Sequence, residues 1–175
     1  MANQMNQPQS GSGPAALACR IAPLYRLLAC VPDGLMQLLA RLTIAPIFWL
    51  SGETKVVAKA CLFHGDCTPG SLTVMLFQTE YKMPWLDPHV WASLASLSEH
   101  LFPVLLILGL ATRFAALSLL IMTLMIQFFV YPQWLVWWNT HILWAFPLFY
   151  VMSRGPGPVS LDHLIVHFFG CKKAV

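Results

Sequence analysis

The chain has 175 residues, of which 58% are apolar and only 10% charged, with a net charge of +3. Average soluble domains carry about a quarter charged residues, so this composition excludes a soluble globule and makes the lipid bilayer the expected partner. The Lys and Arg residues form no cluster able to follow a phosphate backbone, which excludes nucleic acid.

Residues 1–14 are rich in Gln, Asn, Ser and Gly without a positive charge, and the apolar stretch 15–31 is interrupted by Arg20, Pro23 and Arg26. That pattern is not a cleaved signal, and the stretch is expected to lie on the membrane surface with its arginines among headgroups. Four apolar runs then predict membrane helices at 41–61, 93–112, 114–131 and 134–153, each close to the roughly 20 residues that cross a hydrocarbon core of about 30 Å. The last two lie in a 40-residue stretch without Asp, Glu, Lys or Arg, broken near its middle by Tyr131-Pro132-Gln133. The connection 62–90 holds Gly65, Pro69, Gly70, Pro84 and Pro88 and is expected to be irregular. After Arg154, Gly155-Pro156-Gly157-Pro158 stops the last helix. Ser160-Leu161-Asp162 then predicts an N-cap, with an acid in the first turn of a short surface helix, Leu161 to Phe169. The fold class is therefore all-α, an integral membrane four-helix bundle with an N-terminal interfacial segment and a short C-terminal surface helix. Its domains are expected at 1–33, 34–170 and 171–175.

Placing both termini in the cytoplasm puts Arg20, Arg26, Arg41, Arg113, Arg154, Lys172 and Lys173 inside, against Lys55, Lys59 and Lys82 outside. The positive-inside rule favours that multi-pass orientation in the cell inner membrane. Tyr81, Trp85, Trp91, Tyr131, Trp134, Trp137 and Trp138 then gather near the outer interface, where amphipathic rings prefer to sit.

Each predicted span has an arginine at its inner end and polar residues 12 to 14 positions away: Glu53 and Lys55 from Arg41, His100 and Glu99 back from Arg113, Gln127 forward from it, and His141 back from Arg154. At a helical rise of about 1.5 Å per residue, all six fall about 18 to 21 Å from the arginine plane, in one layer. Ionisable groups at that depth cost at least about 2.5 kcal/mol each, so they pair inside the bundle or line a cavity. Lys55 is expected between Glu53 and Glu99, with His100, Gln127 and His141 completing a network. Ala92, Ala95 and Ser96 share the face of Glu99, so a neighbouring helix can approach and Glu99 points into the bundle. The layer either fixes helix register or forms a site for a small, partly apolar molecule with proton-linked chemistry, in which Glu99, His100 and His141 are the catalytic candidates. Trp137, His141 and Trp144 share a face and offer an aromatic wall to a flat ring, although packing against lipid explains the tryptophans equally well. Two histidines at one depth also leave an axially ligated haem as a weaker alternative.

Cys61, His64 and Cys67 form C-x2-H-x2-C. In an oxidising compartment the cysteines read first as a disulfide, and a soft metal such as Cu(I) bound by two sulfurs and an imidazole is the alternative. Cys19, Cys30 and Cys171 are expected to be free thiols on the reducing side.

Several of these segments resemble the DoxX family of small membrane proteins. Arg41-Leu42, Phe48 and Ser51-Gly52-Glu53-Thr54-Lys55 resemble its first span, and Ser98 to Arg113, an acid followed by Leu105-Leu106-Ile107-Leu108-Gly109-Leu110-Ala111-Thr112-Arg113, resembles its most characteristic stretch. Arg154-Gly155-Pro156-Gly157 with Ser160-Leu161-Asp162 resembles its closing motif. Phe77-Gln78-Thr79-Glu80-Tyr81-Lys82-Met83-Pro84 is similar to an outer segment of a subgroup found beside copper-linked peptide-modifying proteins. The resemblance covers residues 41–164 and implies a four-helix membrane bundle linked to redox work. Some relatives are subunits of thiosulfate:quinone oxidoreductase, and others join membrane complexes that resist oxidative stress. The combined expectation is a membrane subunit of a redox complex that works with a membrane or peripheral redox partner. It binds a quinone in the polar layer, with Glu99 and His141 handling protons, Glu53, Lys55, Gln127, Trp137 and Trp144 contacting the ligand, and Arg113 and Arg154 anchoring the inner ends. The alternative is a non-catalytic partner, or a copper or oxidative-stress handling factor that uses Cys61, His64 and Cys67.

Overall fold

The computed structural model of the chain describes residues 31–57, 61–65, 67–81 and 83–169. Residues 15–30 of the expected interfacial segment, the thiols of Cys19, Cys30 and Cys171, and Lys59 and Lys82 lie outside the described residues.

The described residues are all-α, with an isolated bridge between Val56 and Pro69 as the one β feature among them. In chain order the elements are α1 (Asp33–Glu53), the single turn α2 (Cys61–His64), α3 (Ser71–Thr79) and α4 (Pro88–Leu108). Helix α5 runs over Thr112–Met125 and continues through a π-helical turn at Ile126–Val130. Helix α6 begins as Trp134–Val136, widens into a second π-helical turn at Trp137–His141 and continues as Ile142–Arg154. Helix α7 (Leu161–Phe169) is the expected surface helix, with no buried residue.

Helices α1, α4, α5 and α6 close a ring in which α1 packs on α4 and α6, and α5 packs on the same two. Segments Asp33–Glu53, Pro88–Leu108 and Thr112–Val130 are each long and apolar enough to cross a membrane, and α6 carries no charge before Arg154. Ile44, Phe48, Leu106, Leu119, Leu148 and Val151 fill the centre together with the small Ala45, Ala115 and Ala116. The outer faces carry side chains just as apolar: Leu50, Phe128, Leu143 and Phe146 are each more than 60% exposed. Soluble monomers do not expose such continuous apolar surface, so the protein is a membrane protein whose outward faces suit lipid.

Several boundaries differ from the sequence expectation. Helix α1 begins at Asp33, not at 41, because the acid favours the first turn and the polar Gln37 and Arg41 turn inward and are buried. It ends at Glu53, where Thr54 Oγ1 folds back onto Ser51 O at 2.7 Å. Lys55 therefore lies beyond the helix, and Cys61 belongs to α2. The connection 62–90 is also not irregular throughout. Between Pro69-Gly70 and Pro84, Ser71–Thr79 contains neither Pro nor Gly, and it forms a helix that buries Thr73 and Phe77 one turn apart. Helix α4 starts early for a local reason: the Asp87 carboxylate accepts from His89 N at 2.8 Å, and Pro88 occupies the first helical position.

The arginine end of the bundle is tied by the closing segment. Ser160 Oγ accepts from His163 N at 3.1 Å, as expected of an N-cap. Asp162 does not serve its own helix. It accepts from Ala111 N at 2.8 Å and from Thr112 N and Oγ1 at 2.9 Å, so it caps α5. The buried Arg41 guanidinium donates to Val159 O, and Gln37 Nε2 donates to Arg154 O at 3.3 Å. Gly109, at φ 70°, ends α4 where a side chain would meet Arg41 and Ser160. The arginine motifs therefore hold three chain segments together at this end.

Candidate functional site

Towards the opposite end, a cavity of about 310 Å³ opens between the helices beneath α3. One polar wall comes from α1 and α4. Glu99, fully buried, holds Oε2 at 2.7 Å from Lys55 Nζ and accepts from Ser51 Oγ at 3.3 Å. Lys55 Nζ also donates to Ser51 Oγ at 2.9 Å. Lys55 reaches this point because its backbone carbonyl is clamped from the α3 side, accepting from Gly70 N at 2.8 Å and from Thr73 Oγ1 at 3.0 Å. The pair forms only where α1 and α4 touch closely. A Cβ added at Gly52 would lie 2.7 Å from His100 Cε1 and 3.1 Å from Glu99 Cβ, and Ala92 and Ser96 are fully buried on the facing side.

The opposing wall is His141 on α6, buried, with Nδ1 2.6 Å from Gln127 Oε1 on α5. Both residues lie in the π-helical turns, whose wider spacing breaks the regular side-chain register and is frequent at functional sites. With the Gln127 oxygen accepting, Nδ1 carries the proton and Nε2 of the neutral ring keeps a lone pair. Trp144 lies beside the ring, its centroid 5.2 Å away. Tyr81 and Tyr131 complete the lining. Burial, reinforced by Tyr131, pushes the Tyr81 hydroxyl above its ordinary pKa, so it stays a neutral donor at neutral pH.

Of the expected site residues, Lys55, Glu99 and His141 of the polar layer and Trp144 of the aromatic wall line this cavity. Gln127 stands behind His141 and orients it instead of lining the cavity. Trp137 is not part of the lining, because the π-helical turn between it and His141 breaks the assumed one-face spacing. Glu53 and His100 face another way. His100 Nε2 lies 3.5 Å from Glu53 Oε1, Nδ1 lies 2.7 Å from Ser96 O, and the ring stands edge-on to Trp49 at 5.0 Å. Lys55 is thus paired with Glu99 while Glu53 meets His100, and the two imidazoles have different partners. Ser51, Thr73, Tyr81 and Tyr131 were not singled out as site residues. Ser51 alone carried a usable signal, one helical turn before Lys55.

Cys61 and Cys67 form the disulfide that was read first. Sulfurs joined in this way are not thiolate ligands. The cluster of possible metal-ligating atoms here contains His100, not His64, which is exposed. The copper set Cys61, His64 and Cys67 is therefore not assembled. A second, apolar groove of about 350 Å³ adjoins the cavity and shares Phe77, Ala95, Met122, Ile126 and Val130 with it. Leu94 and Ile121 in its lining are about half exposed, so it opens on the outer face of α4 and α5.

The model of the DoxX family matches residues 36–132. No curated protein and no solved structure matches the chain.

Proposed function

The chain belongs to the DoxX family, and from that premise we propose that it is the membrane subunit of a redox complex that binds a quinone between Glu99 and His141. The observation that carries this reading is the junction of a polar cavity with an outward-opening apolar groove. A quinone has carbonyl oxygens on both sides of a flat ring and an apolar tail. The cavity offers Lys55 and Glu99 on one wall and His141 and Tyr131 on the other, while the groove suits the tail. The cavity volume of about 310 Å³ lies at the lower end of ordinary ligand sites, which span about 300–1,000 Å³.

Reduction of the quinone to the quinol takes two electrons, supplied by a redox partner protein, and two protons. Glu99 and His141 each take up a proton from water and pass it to one of the two oxygens, and Lys55 balances the carboxylate left after transfer. The count of Lys and Arg supports a setting in the inner membrane with both termini cytoplasmic. Residues 34–170 form the working unit in this reading.

Trp144 makes the test direct. A short-tailed quinone titrated into the purified protein is expected to quench tryptophan fluorescence saturably. Lys55→Met and Tyr131→Phe, which remove donors on the two walls, each weaken binding about tenfold, the equivalent of one hydrogen bond. Absence of saturable quenching, or equal affinity in both variants, overturns the proposal.

A further inference from the structure

We propose that the Cys61–Cys67 disulfide is a thiol–disulfide exchange centre with His100 as its proton partner. The inference stands independently of quinone binding. Helix α2 packs against α4, so the disulfide rests on the bundle, and a ring nitrogen of His100 lies within 4.8 Å of both sulfurs. The two sulfurs are not equivalent. Cys61 is fully buried, whereas Cys67 is partly exposed beside the exposed Gly65 and Thr68.

The imidazole is fixed for this role. Its Nδ1 is held at Ser96 O, while Nε2 is buried without a hydrogen-bond partner. The other charged group facing the ring is Glu53 of α1, 3.5 Å from Nε2. Glu99, next to His100 on α4, is turned to Lys55.

The chemistry follows from this asymmetry. A thiolate from a small-molecule or protein thiol attacks the accessible Cys67 sulfur. A new S–S bond forms there as the Cys61–Cys67 bond breaks, and the bonding pair leaves on Cys61. Protonated His100 gives its proton to that sulfur, which speeds departure of the buried thiolate. A second thiolate attacks the outer sulfur of the mixed disulfide, releasing Cys67, which is protonated from solvent. Two thiols are thereby oxidised to one disulfide while the protein disulfide is reduced to two thiols, and His100 recovers its proton from water. The reverse sequence reduces an external disulfide and restores the protein disulfide.

The test uses the full chain in detergent micelles or lipid, treated with reduced glutathione, alkylated and analysed by peptide mass spectrometry. The native disulfide is expected to open without denaturant. The single-cysteine variants are treated instead with oxidised glutathione, from which a thiolate displaces one glutathione: Cys61→Ser gains glutathione on Cys67, and Cys67→Ser gains at least about tenfold less on Cys61. His100→Asn slows opening about tenfold at constant pH and glutathione thiolate. Opening of the wild-type disulfide without denaturant needs no variant and keeps the test sharp if a substitution unfolds the protein. A disulfide that opens only in denaturant, or a rate that His100→Asn leaves unchanged in a folded protein, overturns the inference.

Discussion

Replacing Lys55 by Met removes the cation from a carboxylate that has no solvent contact. Glu99 would keep only the Ser51 hydroxyl, at 3.3 Å. Removing one partner of a buried ion pair costs about 3–5 kcal/mol. The Lys55 side chain is 21% exposed while that of Glu99 is 0% exposed, so the pair is only partly desolvated and the loss should fall near the lower bound, about 3 kcal/mol. At about 2–4 °C per kcal/mol for a chain of this size, thermal unfolding should drop by about 6–12 °C. Glu99→Gln removes the charge but keeps the shape, so Lys55→Met/Glu99→Gln should recover part of the loss, with a coupling of about 1–3 kcal/mol. Thermal unfolding of all four proteins in detergent, followed by circular dichroism, gives that cycle. If the double variant loses the sum of the two single losses, Lys55 and Glu99 are not coupled and the reasoning about this wall fails.

Gly52→Ala should destabilise the bundle by about 1–3 kcal/mol through overpacking against His100 and Glu99, although alanine gains about 1 kcal/mol in helix propensity; a higher melting temperature would show that α1 and α4 are not pressed together there. Asp162→Asn should cost about 1–2 kcal/mol by weakening the cap of α5 and leave quinone quenching unchanged, which melting and fluorescence titration check together. Tyr81 should ionise above the ordinary tyrosine range near about 10, and ultraviolet titration of tyrosinate in Tyr81→Phe should lack that late component. Because its folded pKa is raised, the stability it contributes is present below the unfolded value and is lost as pH rises through the folded one.

Much of the fold was legible because charge is scarce and punctuated. The uncharged stretch 114–153 with its Pro132 break marked two helices, and Ser160 with the Gly-Pro run marked the start of α7. The depth of the polar residues was also legible, since counting from the arginines needs only the helical rise. Their direction was not. Whether Glu53 meets Lys55 or His100 depends on where α1 stops, and that is set by a turn after Glu53 and by the clamp of the Lys55 carbonyl from α3. Trp137 stands outside the cavity lining because the period of 3.6 does not carry through a π-helical turn, which no residue type marks. Asp162 looked like an acid for its own helix because the nearest helix in sequence is α7, whereas the nearest unsatisfied amides in space belong to α5. His64 was preferred to His100 as the imidazole beside the cysteines for the same reason: it is close in sequence, but α2 packs on α4.

The most direct measurement is photolabelling of the protein in lipid by a quinone that carries an azido group on its ring, followed by peptide mapping. Quinone binding between the two polar walls predicts label on the peptides that contain Tyr131, His141 and Trp144, competed by unlabelled quinone and lost in His141→Ala. Label spread over the lipid-facing side chains of α1, or label at the cavity that His141→Ala leaves unchanged, would contradict it.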